Sequence, residues 1–196
     1  MIERISILGT GLLGASVGLA LRDAGFRGSI TGWNRGAEQG QLALKLGAVD
    51  SLAADAMEAA RGAQVTVLAV PIFATLDWME KLAPVLGSEQ LVTDVGSTKR
   101  VISEAGARLY NKPERAAFLP GHPMAGKERG GAALADANLF RGAVWLFTDD
   151  AAAQRSAKSA EFVKSWREWV IAMGAKTLDL AEIGRASCRE RVCWIV

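Results

Sequence analysis

Thiol and imidazole chemistry have little to draw on in this chain of 196 residues, which holds two cysteines, Cys188 and Cys193, and one histidine, His122. A body free of cysteine excludes a disulfide framework, a thiolate zinc centre and a cysteine nucleophile, and no metal site is expected. Charge of one sign is also lacking. The 23 Lys and Arg and 21 Asp and Glu leave a net +2 and are interleaved along the chain, so there is no one-sided basic face and nucleic acid is excluded as a partner. The longest apolar stretch, Val65 to Leu76, is interrupted by Thr66, Pro71 and Thr75. It falls short of the roughly 20 residues that cross a bilayer, so no membrane association is expected. With only five prolines there is no Pro-rich linker, and no internal repeat or low-complexity tract is visible. The first strand is under way by Ile5, which leaves no room for a targeting segment and gives a cytoplasmic expectation.

What is present is the balance of a globular protein, 50% hydrophobic and 22% charged, in a length that fits one ample domain. Runs rich in Ile, Val and Leu alternate with Ala-rich amphipathic segments from the N-terminus onward. That alternation predicts repeated βα units and an α/β fold, a doubly wound parallel sheet. Strands are predicted at Arg4 to Leu8, Ser29 to Trp33, Val65 to Val70, Leu91 to Asp94, Ala116 to Pro120, Val144 to Thr148 and Lys176 to Leu180. Helices are expected after Gly11, Ala37, Asp55, Phe73 and Thr98, and a last one from about Ala151 to Met173. In that last helix Phe162, Trp166, Trp169, Val170 and Met173 recur at steps of three and four, a packing stripe, and Gly174 stands where a left-handed cap belongs. The domain is expected to span residues 1–181. Residues 182–196 carry three arginines and both cysteines without periodicity. From about Ile183 that string resembles a translated sequencing adapter, and a non-native tail is expected there.

After the first strand comes Gly9-Thr10-Gly11-Leu12-Leu13-Gly14, a match to G-x-G-x-x-G between a strand and a helix. Gly9 permits the tight turn, Gly11 lets the backbone approach a pyrophosphate, and Gly14 lets the helix pack on the strand with its free N–H groups towards the phosphates. Leu12 and Leu13 belong to this cradle. Val70 and Pro71, where the third predicted strand ends, complete it. The fingerprint also predicts a carboxylate at the end of the second strand to bind the ribose hydroxyls. Asn34 and Arg35 stand there instead. An uncharged Asn34 does not repel a 2′-phosphate and Arg35 can pair with one, so NADP is permitted alongside NAD.

Two further motifs fall at or near the carboxyl ends of later strands, where open α/β sheets bind ligands. The first is Asp94-Val95-Gly96-Ser97-Thr98-Lys99, in which Ser97 and Thr98 offer hydroxyls at a helix start, one of them as an N-cap. The second runs from Gly121 to Gly131 and holds His122, expected on a Gly- and Pro-rich loop. A histidine in such a place is poorly explained by packing, and a neutral imidazole accepts a proton near pH 7.

Taken in order, Gly9 to Ser16, Asp94 to Lys99 and Gly121 to Gly131 resemble the prephenate/arogenate dehydrogenase family of tyrosine biosynthesis, over about Ile2 to Leu180. The resemblance implies an oxidative decarboxylation of a small-molecule substrate, prephenate or arogenate, with NADP or NAD as cofactor. It implies that His122 hydrogen-bonds the ring hydroxyl and draws off its proton, that Ser97 binds the same hydroxyl, and that Glu128 is a carboxylate near the site. The family usually has an acidic residue where Asn34 stands, and it carries a second, helical domain with dimer contacts and a substrate-gripping arginine. Full-length members are expected to be homodimers. The competing readings are a β-hydroxyacid dehydrogenase, whose chemistry relies on a lysine of a later helix, and a dinucleotide-binding module without catalysis.

Overall fold

The computed structural model describes residues 1–148 and 155–180. Six strands, β1 (Arg4–Leu8), β2 (Ser29–Trp33), β3 (Ser51–Leu52), β4 (Val65–Leu68), β5 (Leu91–Asp94) and β6 (Ala117–Leu119), form a parallel sheet in the order β3-β2-β1-β4-β5-β6. The central strands β4 and β5 are buried at every residue, as strands covered on both faces are, and their polar members Thr66, Thr93 and Asp94 are buried with the rest. Helices α1 (Leu12–Asp23), α2 (Ala37–Lys45), α3 (Ala56–Gly62), α4 (Ile72–Leu82), α5 (Lys99–Tyr110) and α6 (Ala157–Ala172) fill the connections.

The period of two along each strand sorts its side chains into two cores. Ile5, Ile7, Val65 and Val67 point to one face, where they pack with Ala15 and Val17 of α1 and Phe162 and Trp166 of α6. Leu8, Leu68 and Val92 point to the other, against Ala59 of α3, Met79 and Leu82 of α4 and Ile102 of α5. A sheet with helices on both faces is the doubly wound architecture the sequence implies. The order turns back between β1 and β4, and in such sheets the crevice outside the carboxyl ends of those two strands is the ligand site.

The structure departs from expectation in three places. The two-residue β3 gave no signal. Gly121–Pro123, expected as loop, is strand β7; it pairs antiparallel with β8 (Val144–Phe147), which pairs parallel with β9 (Lys176–Asp179) in a separate three-stranded sheet. Pro120 lies between β6 and β7 and has no N–H to give a ladder, so the chain leaves the parallel sheet there. The strand expected to reach Val70 ends at Leu68. The packing stripe of α6 is as expected, with Phe162, Trp166, Val170 and Met173 buried, Trp169 set edge-on to Phe26, and Gly174 at φ +89° after it. The expected start of that helix at Ala151 and the tail from residue 182 lie outside the described residues. Among the described residues no helix is long and apolar enough to cross a membrane.

Helix α1 approaches the turn before β3 so closely that a Cβ on Gly18 would lie 1.9 Å from the Ala48 carbonyl oxygen. In an exposed helix Gly→Ala stabilises by about 1 kcal/mol. Here the clash wins, and Gly18→Ala is expected to destabilise by about 1–3 kcal/mol. The comparison is Gly62→Ala on α3, where an added Cβ meets nothing within 4 Å and no loss is expected. Urea midpoints of the two variants check this, and a Gly18→Ala protein as stable as the parent contradicts it.

Candidate active site and nucleotide cleft

The glycine turn is built by close approach. Gly9 sits at φ +99°, donates its N–H to the Trp33 carbonyl at 2.8 Å, and would place a Cβ 2.3 Å from the Ala69 carbonyl oxygen. A Cβ on Gly14 would lie 1.9 Å from the Gly9 carbonyl oxygen, so α1 can begin here only with glycine at both positions. Gly11 differs: a Cβ there meets nothing within 4 Å. It is the N-cap of α1, its helix has no side-chain cap and no acidic residue in the first turn, and the first N–H groups are left to an outside partner. Their partial positive charge faces open space of the kind an anion fills. Leu12 is buried and Leu13 half-buried behind them.

Three elements flank this turn. Asn34, at the end of β2, accepts the Thr10 N–H on Oδ1 at 3.0 Å and donates Nδ2 to the Gly36 carbonyl at 3.0 Å. Its amide therefore braces the glycine turn from the side where a ribose-binding carboxylate was expected. Arg35 beside it is exposed and makes no ion pair among the described residues. After β4, the Val70 side chain lies against Gly9, and Pro71 is the exposed N-cap of α4. The structure thus brings Gly9, Gly11, Leu12, Leu13, Gly14, Asn34, Arg35, Val70 and Pro71 together at the carboxyl ends of β1, β2 and β4.

The second cluster gathers at the end of β5. Asp94 is fully buried, and the Lys99 ammonium lies 2.5 Å from its Oδ2, itself only 4% exposed. The same oxygen accepts the Gly96 N–H at 2.9 Å, and Oδ1 accepts the Gly121 N–H at 3.1 Å. Lys99 also donates to the Gly121 carbonyl at 2.6 Å. His122 follows directly, on β7 opposite Leu146 of β8, with 9% of its surface exposed and Nδ1 buried without a hydrogen-bond partner. Burial pushes the imidazole below its ordinary value, the Lys99 charge adds to that, and the Asp94 carboxylate opposes it. The ring is held neutral near pH 7.

Ser97 is exposed on the turn from β5 to α5, one residue before Thr98, the N-cap of α5, whose side chain makes no capping bond. Glu128 is on the exposed stretch beyond β7 and pairs with neither of its neighbours Lys127 and Arg129. Lys127 turns instead to the Leu134 carbonyl at 2.8 Å and to Asp136 at 3.5 Å. Sequence reasoning missed Asp94 and Lys99, although both stand in the motif it singled out. The available signal was an acid at a strand end and a base five residues on, at the first residue of the next helix.

These features match known proteins. The sequence model of the family described as prephenate dehydrogenase, nucleotide-binding domain, matches residues 17–176. A prephenate dehydrogenase of Lactococcus lactis subsp. cremoris is 34% identical over 178 residues, covering 90% of this chain and 48% of that protein. The chain therefore spans about half the length of that curated relative. The crystal structure of Synechocystis arogenate dehydrogenase superposes with a TM-score of 0.79 at 29% identity, over 97% of this chain and 63% of that one. Prephenate dehydrogenase from Aquifex aeolicus, solved in complex with hydroxyphenyl propionate and NAD+, superposes at 0.78 with 24% identity, over 92% of this chain and 60% of that one, a likeness of fold.

A lowered imidazole pKa makes stability depend on pH. As pH falls below the ordinary value of 6.5, the unfolded chain takes up the proton first, so stability drops until the folded-state value is passed. The slope is at most about 1.4 kcal/mol per pH unit. Since His122 is the single histidine, His122→Gln is expected to lose less stability than the parent between about pH 7.5 and 5.5. Urea midpoints at both pH values check this, and equal losses contradict it.

Proposed function

The chain belongs to the prephenate dehydrogenase family, as its nucleotide-binding domain, and on that premise we propose that it binds NADP or NAD across the crevice outside β1 and β4 and carries the proton-accepting side of an oxidative decarboxylation. The substrate is prephenate or arogenate. The observation that carries the reading is Gly11, where the helix start is uncapped and an added Cβ would meet only open space. That opening fits a pyrophosphate, with the first N–H groups of α1 as donors. Asn34 keeps the ribose side free of negative charge, and the exposed Arg35 offers a guanidinium to a 2′-phosphate, which favours NADP.

When bound, the nicotinamide supplies a two-electron acceptor for the hydride on the substrate's carbinol carbon. His122 takes the proton of the ring hydroxyl as that hydride leaves, so the oxygen becomes a carbonyl. When the ring carboxylate departs as carbon dioxide, its electrons reach that oxygen and the proton returns from His122 to give a phenol. His122 thus holds one proton between the two steps and recovers its neutral state. Ser97 orients the same hydroxyl from the end of β5. Glu128 serves as a carboxylate at the mouth of the site. The β-hydroxyacid dehydrogenase reading relies on a lysine of a later helix, and the lysine beside His122, Lys99 of α5, is committed to Asp94 and Gly121.

Titration of the chain with NADPH and NADH, followed by nucleotide fluorescence, tests the proposal. NADPH is expected to bind more tightly, and Arg35→Ala to erase that advantage by about tenfold or more, the worth of a charge-assisted bond. Gly11→Ala is expected to weaken both nucleotides by about tenfold or more with an unchanged urea midpoint, since the Cβ takes the ligand's space and no protein atom's. Undiminished binding of both nucleotides by Gly11→Ala overturns the placement.

A further inference from the structure

Gly121 is gripped through both of its peptides, the one before it by Asp94 and the one that joins it to His122 by Lys99. Asp94 Oδ1 accepts the Gly121 N–H at 3.1 Å, and the Lys99 ammonium donates to the Gly121 carbonyl at 2.6 Å. No larger residue fits this clamp: a Cβ on Gly121 would lie 2.7 Å from the Asp94 carbonyl oxygen and 2.9 Å from the Trp145 indole nitrogen. Asp94 belongs to β5, Lys99 opens α5, and Gly121 opens β7, so the pair ties three elements at the residue preceding the imidazole. A staple for the fold alone could be apolar, since well-packed hydrophobic groups commonly match or outdo a buried ion pair in stability. An ammonium at this place does something an apolar group cannot, which is to set a positive charge beside the residue that carries the imidazole.

We propose that Lys99 is a positioning residue for His122: anchored by Asp94, it fixes the Gly121–His122 peptide and sets a positive charge against the imidazole, so that the ring is presented as an uncharged proton acceptor. This deepens the dehydrogenase reading and rests on it for the use to which the imidazole is put. The ionisable groups acting on the ring are Lys99 from α5 and Asp94 from β5, and its β8 neighbours Trp145 and Leu146 carry no charge. Lys99 outweighs Asp94 in that balance.

Since the chain holds one histidine, an NMR titration of the 196-residue protein labelled at histidine reads His122 without ambiguity. Lys99→Arg, which keeps the charge, is expected to titrate with the parent to within about 0.3 units, because only like charge is exchanged for like. Lys99→Met leaves Asp94 acting alone and is expected to raise the midpoint by about one unit or more. Should the unpaired carboxylate prevent Lys99→Met from folding, the double variant Asp94→Asn/Lys99→Met removes both charges, and its midpoint is expected above the parent's. A folded Lys99→Met, or a folded double variant, that titrates with the parent overturns the proposal. Failure of the dehydrogenase reading has a different signature, no binding of either nucleotide by the parent chain, and leaves this titration as it stands.

Discussion

The buried pair of Asp94 and Lys99 holds the working end of the molecule together. Two ions out of water cost several kcal/mol each unless their remaining hydrogen-bonding positions are filled. Here they are filled by the elements that must meet: the Gly96 N–H at the start of the β5 to α5 turn, and both polar groups of Gly121 at the start of β7. Losing one partner of such a pair typically costs about 3–5 kcal/mol, whereas losing both is often neutral. Stability alone therefore gives a weak reason for the pair. Its geometric result is specific: the single histidine is held at the carboxyl end of the sheet, beside a fixed cation.

A second constraint works at the other end of the crevice. Gly9 and Gly14 leave no room for a side chain, and their tight packing aims α1 so that its first N–H groups open onto the space beside Gly11. Asn34 secures the same turn from β2. Because β1 and β4 are neighbours at the point where the strand order reverses, and β5 is next to β4, the glycine turn and the Asp94 cluster lie along one edge of the sheet. An extended two-headed ligand suits that span, and the helices packed on both faces keep the two ends in register.

Much of this was legible in the sequence. The glycine spacing between a strand and a helix located the cradle, the alternation of apolar runs with amphipathic segments gave the parallel sheet, and the stripe from Phe162 to Met173 gave α6. His122 was found as well, but its setting was misread: a segment rich in Gly and Pro reads as loop, and the pairing of Gly121–Pro123 with β8 depends on residues about twenty-five positions away. Lys99 was passed over because a lysine in a helix start reads as solvated, and its burial follows only from the folding of β7 across it. Asn34 was judged by its charge alone, and its brace on Thr10 is a contact between neighbouring strand ends that no local pattern encodes. The two residues of β3 are too few to carry a period.

The central claim is that one cleft runs from the glycine turn to His122, and the histidine's own ring signal tests it most directly. The account predicts that saturating the chain with NADP+ shifts the His122 ring resonances, while the same saturation with the fragment lacking nicotinamide, 2′-phospho-ADP-ribose, does not. Ring resonances that stay unmoved under saturating NADP+ would contradict the account, because the reactive end of the cofactor would then lie away from the residue assigned to receive the proton.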